Sequence, residues 1–351
     1  MARRTGAMVA INGDYALGSG RPVHTFASDG FLAQTPLMWG RNFAIDRAET
    51  TVHIANPKVR TWAFDPDTGA STNIKRVNAG PPVAGEVARF TPQGGSDERP
   101  PDDHCLARLM PAEPPRLSSD GAAVVADHAV EKVRCGGRRM LPNGGSILAS
   151  PQDSIYAPRL AVLESGRAMQ LGWSLGWPGV MDTIGGNPTL IEGGQIATGN
   201  VTGEGPFFKR HPRTGVGSTP DGKVLFVIVD GRQPGYSVGM NLKRFAEVFA
   251  YLGADQALNL DGGGSTTLAI HGRVVNRPSD GSERPVSSSL VLYPAQAVPQ
   301  PDQPAKATST EAWGRAVADP ASTGGLADSL DRRGVGLPSS LERAARTFRD
   351  R

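Results

Sequence analysis

The sequence is short of the features that most directly announce a function. Its two cysteines, Cys105 and Cys135, stand 30 positions apart, so neither a zinc ribbon nor a CxxC redox pair can be built. The six histidines show no HxH or HExxH spacing, which argues against a histidine-built metal site. A net charge of +3, from 37 basic and 34 acidic residues, is too small a surplus to point to nucleic acid. The longest purely apolar run, Val224-Leu225-Phe226-Val227-Ile228-Val229, falls far short of the roughly 18 residues a membrane span needs.

What the 351 residues do contain is glycine (44) and proline (29), which favour many turns and short elements over long helices. The expected fold class is α+β, a mixed β-sheet core with a βαβ unit in the C-terminal half and flanking helices. One domain is expected over 1–293. Residues 294–309 read as a Pro/Gln/Ala-rich linker, followed by a mostly disordered tail with a short helix over 340–349.

At the start, Met1-Ala2-Arg3-Arg4 has the look of a signal-peptide n-region, but the apolar stretch that follows is too short and meets Asn12 and Asp14. The better reading makes residues 2–5 the last turn of a helix closed by Gly6, then a buried strand over 7–11. A single turn does not nucleate alone, so further chain is expected upstream of Met1. Strands follow over 51–55 and 60–64, with Asp29-Gly30 and Asp67-Thr68-Gly69 as hairpin signals. Residues 91–115 turn to Pro, Asp, Gly and Arg and read as a long loop or surface insertion carrying Cys105. A Cys105–Cys135 bridge would tie it down with about 3–4 kcal/mol; the alternative is two unrelated thiols. Residues 160–163 and 168–173 read as a hairpin around Glu164-Ser165-Gly166.

The best-patterned stretch lies later. The strand 224–229 ends at Asp230. Asn241 then caps a helix with Leu242, Phe245, Ala246, Phe249 and Leu252 at helical spacing, and Gly253 stops it. A second strand, 256–260, ends at Asp261. A right-handed crossover would make the two strands parallel, with both aspartates at the carboxyl edge of one sheet, where open sheets bind ligands. A last strand is expected over 289–293.

Several motifs could carry chemistry. Asp261-Gly262-Gly263-Gly264-Ser265-Thr266 accepts the cost of three consecutive glycines, about 0.5–1 kcal/mol each. It reads either as a nest of N–H groups aimed at an anion or as a loose hairpin turn. Arg210-His211-Pro212-Arg213 offers guanidinium forks suited to phosphate, or simply a solvated basic loop. Gly172-Trp173-Ser174-Leu175-Gly176 matches the nucleophile-elbow pattern, but Trp177-Pro178-Gly179 follows where a helix should start. Glu192 stands beside a hairpin glycine pair, Gly193-Gly194, and Asn12-Gly13-Asp14-Tyr15 follows a buried strand.

Taken in order, Asn12-Gly13-Asp14-Tyr15, Ile184-Gly185-Gly186 with Pro188 and Leu190, Arg213-Thr214-Gly215-Val216-Gly217, Asp230-Gly231, Asn259-Leu260-Asp261-Gly262-Gly263-Gly264-Ser265-Thr266, Pro278-Ser279-Asp280 and Arg284-Pro285-Val286-Ser287 resemble the phosphodiester glycosidase family. Ala16 departs from the family's usual phenylalanine. The resemblance implies hydrolysis of the glycosidic bond of a sugar-1-phosphodiester, an N-acetylglucosamine-1-phosphate ester or a related envelope glycopolymer, releasing sugar and a phosphate monoester. Asp261 is then expected to act at the sugar, with Asp230 or Glu192 as partner. Arg213 and the backbone of Gly262, Gly263 and Gly264 would hold the phosphate, and Asn12 would orient sugar or phosphate. Ser265, Asp280 and Arg284 complete the expected binding set. No cofactor is required, although Asp14, Asp230, Asp261 and Asp280 could converge on a divalent cation. The expected partner is a carbohydrate phosphodiester, with no nucleic acid and no membrane span. Many relatives are exported, so a secreted or cell-envelope location is expected given an upstream signal peptide, and a cytoplasmic one otherwise. Two other readings stand beside this one: a non-catalytic cell-envelope module that binds glycan or phosphate, and a serine esterase using Ser174.

Overall fold

The computed structural model describes residues 2–95, 98–137, 140 and 144–294; the expected linker and the helix at 340–349 lie outside them. Strands dominate, and among the described residues Leu242–Tyr251 is the only helix longer than five residues. The fold is mostly β with few helices, more β-rich than a balanced α+β.

The largest sheet has nine strands, and His104–Pro111 lies inside it, between Val124–Cys135 and Ser146–Pro151. This corrects the expectation of a loop insertion over 91–115. Prolines and aspartates at both ends of the segment mask eight residues whose two faces are both apolar. Ala107 and Leu109 join one buried cluster and Leu106 joins another on the opposite face. A strand buried on both faces shows no simple alternation. Cys105 and Cys135 sit directly opposite each other on adjacent strands and are bridged. The predicted hairpin at 160–173 is likewise corrected: Ala157–Ala161 is a short helix, and only Ala168–Ser174 is a strand.

Three smaller sheets position the site. One runs Gln195–Ile196, Thr189–Glu192, Gln256–Asn259, Arg213–Ser218, Val224–Val229. The strands 224–229 and 256–259 are not neighbours. Each pairs antiparallel with Arg213–Ser218, which lies between them, so they point the same way with one strand interposed. Asn241 caps the helix by accepting from the Arg244 N–H. Leu242, Phe245, Ala246 and Phe249 are fully buried, each large side chain contributing about 1.5–3 kcal/mol. Gly215 and Gly217 make this approach possible, since a Cβ on either would come within 3.0 Å of a Phe245 or Phe249 ring.

A second sheet places Val9–Asn12 between Leu268–Ile270 and Ser289–Leu292. The helical turn Ala2–Thr5 precedes it, and Gly6 has φ 72° as its C-terminal glycine. A third sheet contains Val180–Gly186 between Phe26–Ser28 and Arg41–Asp46. Asp29-Gly30 turns Phe26–Ser28 into Phe31–Gln34 with both residues at positive φ, as a tight hairpin turn requires. One apolar core joins these sheets: Ile11 from the second, Phe43, Ile54 and Ile184 from the third, and Val216, Leu258 and Leu260 from the helix-bearing one.

Candidate active site

The site forms where two chain segments leave their strands side by side. Beyond Asn259, Leu260 N–H donates to the Thr214 carbonyl and Asp261 N–H to the Gly13 carbonyl. Asn12 locks the junction. Its Nδ2 donates to the Asp261 carbonyl (2.7 Å), while its Oδ1 accepts from the Thr214 hydroxyl (2.7 Å) and the Thr267 N–H (3.1 Å). Buried itself, and bonded through both ends of its amide, Asn12 fixes the backbone under Asp261.

The Asp261 carboxyl is held by one backbone donor, the Gly262 N–H at 2.9 Å. Burial raises its pKa above the ordinary carboxylate range and nearby Asp14 adds to the rise, against opposing contributions from Ser265, the Gly262 N–H and Arg284. Burial disfavours the charged form, and a neighbouring carboxylate disfavours it further. Once ionised, such a carboxylate is a stronger base than an exposed one.

Two of the three glycines after Asp261 have N–H groups already engaged within the chain. The Gly262 N–H goes to Asp261 and the Gly263 N–H to the Pro212 carbonyl, so they do not face an anion. Their role is close approach. A Cβ on Gly263 would meet the Arg232 guanidinium at 2.9 Å, and one on Gly264 would strike Asp280 and Arg284. The turn Gly263–Ser265 thus lets two guanidinium groups crowd against the segment that carries Asp261.

Arg213 supplies a third guanidinium. It is buried and donates to three backbone carbonyls, Met240 (3.1 Å), Phe207 (2.7 Å) and Lys209 (2.8 Å), with its plane near the Phe207 ring. Burial, and then Arg232, lower its pKa, with Tyr15 opposing. Arg213 and Arg232 have no carboxylate partner among the described residues, whereas Arg284 pairs with Asp280. Two guanidinium groups without an ion-pair partner, Arg213 and Arg232, thus stand with the Arg284–Asp280 pair around the segment that carries Asp261.

Behind Asp261 lies a buried polar network. The Tyr15 hydroxyl donates to the Asn187 carbonyl (2.5 Å) and accepts from Asn259 Nδ2 (2.7 Å). Burial, then the Asp261 charge, push its pKa upward, so the hydroxyl keeps its proton. Asp14 pairs with His24 at 2.7 Å, both almost fully buried, and it accepts the backbone N–H groups of Tyr15, Val23 and His24 as well. The backbone of the Tyr15 platform is therefore anchored by Asp14.

Other expected residues lie elsewhere or are occupied. Asp230 reaches the same sheet edge as Asp261, but its carboxylate accepts from Tyr236 (3.0 Å), Asn276 (2.9 Å) and the Arg277 N–H (2.9 Å). It clamps two loops together. Glu192 is exposed and paired with Arg41 at 2.5 Å. The register sets it level with the start of the strand Gln256–Asn259, and at about 3.3 Å per residue this leaves it roughly 16 Å along the strand from Asp261. The Ser174 hydroxyl donates to the Ala122 carbonyl and accepts from Gly176. The four aspartates considered for a cation are engaged separately, and no group of three or more His, Cys, Asp or Glu fit to hold a metal ion occurs among the described residues.

The segment that carries this arrangement matches a family model described as phosphodiester glycosidase, over residues 120–293. Residues 120–293 are thus similar to the phosphodiester glycosidase family. Two curated relatives are 34% identical over short stretches. One is the bovine N-acetylglucosamine-1-phosphodiester alpha-N-acetylglucosaminidase, over 107 residues, 29% of this chain and 20% of that protein. The other is the SPbeta prophage-derived uncharacterized protein YomE of Bacillus subtilis, over 106 residues, 30% of this chain and 16% of that protein. The chain therefore matches only a fifth or less of each relative's length. Among solved structures, a hypothetical protein from Synechocystis shares the fold with TM-score 0.56 and 23% identity over 82% of this chain and 51% of that one. A Burkholderia pseudomallei protein described as exported does so with TM-score 0.55 and 21% identity over 84% and 67%.

The phosphodiester glycosidase motifs seen in the sequence bring Asp14, Tyr15, Arg213, Asn259, Asp261, Asp280 and Arg284 to one place. Two parts of the site escaped the sequence reading. His24 carries no local pattern, and Arg232 looks like an ordinary loop arginine, its backbone at φ 61°. Tyr15 was visible only as the end of an Asn-Gly turn.

Proposed function

We propose that this chain hydrolyses the glycosidic bond of a sugar-1-phosphodiester, releasing the free sugar and a phosphate monoester. The observation that carries the reading is Asp261, a carboxyl made more basic by burial and set beside three guanidinium groups, two of them without a carboxylate partner. A phosphate monoester is a good leaving group, so the need for a strong general acid is relaxed relative to ordinary glycosides. Arg232 and Arg284 hold the phosphate oxygens, and Arg213 adds field from behind while shaping the loop 207–209. Water attacks the anomeric carbon and gives its proton to Asp261. The anomeric C–O bond breaks with its electron pair moving to the phosphate oxygen, where charge-assisted contacts stabilise it. Asn12 and Tyr15 position Asp261 and its loop.

The N-acetylglucosamine named in the bovine relative, on a small or polymeric aglycone, is the first sugar to test. Export or a cell-envelope location is supported by the Cys105–Cys135 bridge, since structural disulfides persist in oxidising compartments. No helix of the described residues is long and apolar enough to cross a membrane. The deciding experiment incubates wild type and Asp261→Asn with N-acetylglucosamine-1-phospho-methyl ester and measures free sugar. Release by wild type that the variant abolishes supports the enzyme. Absence of release from a folded protein that still binds the ester supports a glycan- or phosphate-binding module instead.

A further inference from the structure

Beside this site the chain presents three consecutive large apolar side chains to water. Leu37, Met38 and Trp39 are 39%, 60% and 93% exposed. Such a run on a soluble surface is unfavourable unless something uses it. Trp39 is the extreme case, an indole with essentially all of its surface in solvent.

The loop is not a loose excursion. The Leu37 N–H donates to the Val23 carbonyl at 2.9 Å, and the Trp39 carbonyl lies 3.3 Å from His24 Nε2. Gly40 closes the turn so tightly that a Cβ there would run into the His24 ring and the Gly186 carbonyl. The His24 ring in turn meets Tyr15 edge-on, with centroids 6.2 Å apart. The indole is thus carried on a backbone seated one ring away from Tyr15, whose hydroxyl is bonded to Asn259. A flat aromatic face on a pre-set backbone binds a flat apolar face at little ordering cost, and the C–H face of a pyranose is such a partner.

We propose that Trp39 is a stacking platform for a neutral sugar ring of the substrate's saccharide, with Met38 extending its apolar edge. This rests on the reading of the site as one that acts on a sugar phosphodiester, and it adds a saccharide-recognition residue outside the charged centre. The anchoring favours a saccharide over a lipid surface, because an inserting tip has no need of a backbone tied to the Asp14–His24 pair.

The test titrates the full chain with the neutral saccharide N,N′,N″-triacetylchitotriose and follows the Trp39 indole N–H resonance, assigned by its loss in Trp39→Ala. The resonance is expected to shift on titration in wild type and equally in Asp261→Asn. Trp39→Ala is expected to weaken binding at least tenfold, Trp39→Phe to restore most of it and Trp39→Leu to restore none. Thermal stability is expected to be unchanged in all three, since the Trp39 indole is almost fully exposed. An unmoved resonance with unchanged affinity in Trp39→Ala overturns the proposal. So does rescue by Trp39→Leu together with indole broadening only on addition of phosphatidylglycerol vesicles, which assigns the tip to a lipid surface. Because the readout is binding, a chain that shows the shift but releases no sugar loses the enzyme reading and keeps the platform. A chain that turns over the methyl ester but shows no shift keeps the enzyme and loses the platform.

Discussion

Replacing Asp14 by Asn changes one atom and removes one charge, yet the surroundings make it costly. The Asp14 carboxylate accepts four hydrogen bonds. Tyr15 N–H and His24 Nδ1 reach one oxygen, both at 2.7 Å, and Val23 N–H (3.2 Å) and His24 N–H (2.8 Å) reach the other. A carboxamide has a single acceptor oxygen, so whichever way it turns, its NH2 faces two donors. Each buried donor left without an acceptor costs about 1–3 kcal/mol, which gives about 2–6 kcal/mol for two. Urea denaturation of wild type and Asp14→Asn, followed by tryptophan fluorescence, measures the difference. Arg244→Gln is the control: Arg244 is 55% exposed and pairs with Glu247 along the helix, so its loss is expected to cost about 0.5 kcal/mol. A loss below about 1 kcal/mol in Asp14→Asn would show that the four bonds do not anchor this segment, and the role given to Asp14 under Tyr15 would fall.

Further outcomes follow from the same geometry. The folded-state pKa of Asp261 lies above its unfolded value, so its contribution to stability is fully present below the unfolded value and is lost as pH rises through the raised folded one. Asp261→Asn is therefore expected to lose turnover while becoming the more stable protein at neutral pH, with the advantage vanishing at about pH 3; melting curves across pH 3–8 decide it. The acid limb of the wild-type pH–rate profile is expected above the ordinary aspartate value of about 3.9, and a limb at or below that value would remove Asp261 from the base role. Arg232→Ala is expected to lower kcat/KM by about ten- to a hundredfold, the loss of one charge-assisted contact of about 1.5–3 kcal/mol, whereas an unchanged value would take Arg232 away from the phosphate. His128 is buried in the large sheet, and burial, followed by the Arg89 charge, holds its pKa down at about 4. Its stabilising contribution is present above the unfolded value of about 6.5 and is lost as pH falls through about 4, so His128→Leu is expected to flatten the stability profile in that window.

The sequence is most legible where a feature is written in adjacent residues. Asp29-Gly30 gave its turn, Asn241 its cap, and the spacing of Leu242, Phe245 and Phe249 its helix. The common edge of Asp230 and Asp261 was also readable, because two apolar strands run straight into the two aspartates. What stayed hidden depends on partners far away in the chain. Whether Asp230 is free or clamped is decided by Asn276 and Arg277, 46 and 47 positions on. The strand His104–Pro111 was lost among prolines because only its neighbours in the sheet explain why both of its faces are apolar. Arg232 and His24 have no motif, since their significance lies in what a glycine elsewhere leaves room for. Strand order carried the same ambiguity: a helix linking two strands says that they run the same way, but not that Arg213–Ser218 comes between them.

The placement of Val9–Asn12 also sets a timetable. Among the described strands this one is made first, and it is sandwiched by two of the last. Asn12 and its bonding partner Asp261 are 249 positions apart. At about 5–20 residues per second of synthesis, Asn12 waits roughly 12–50 s for Asp261 to be added. Through that interval Val9, Ala10 and Ile11 have both strand edges open, the condition in which chains pair with the wrong neighbour. Such distant pairing also slows folding once synthesis is done. Competence therefore arrives late and all at once, when Ser289–Leu292 closes over the first strand, and a ribosome that stalls before that point yields a chain with an unguarded edge and no site.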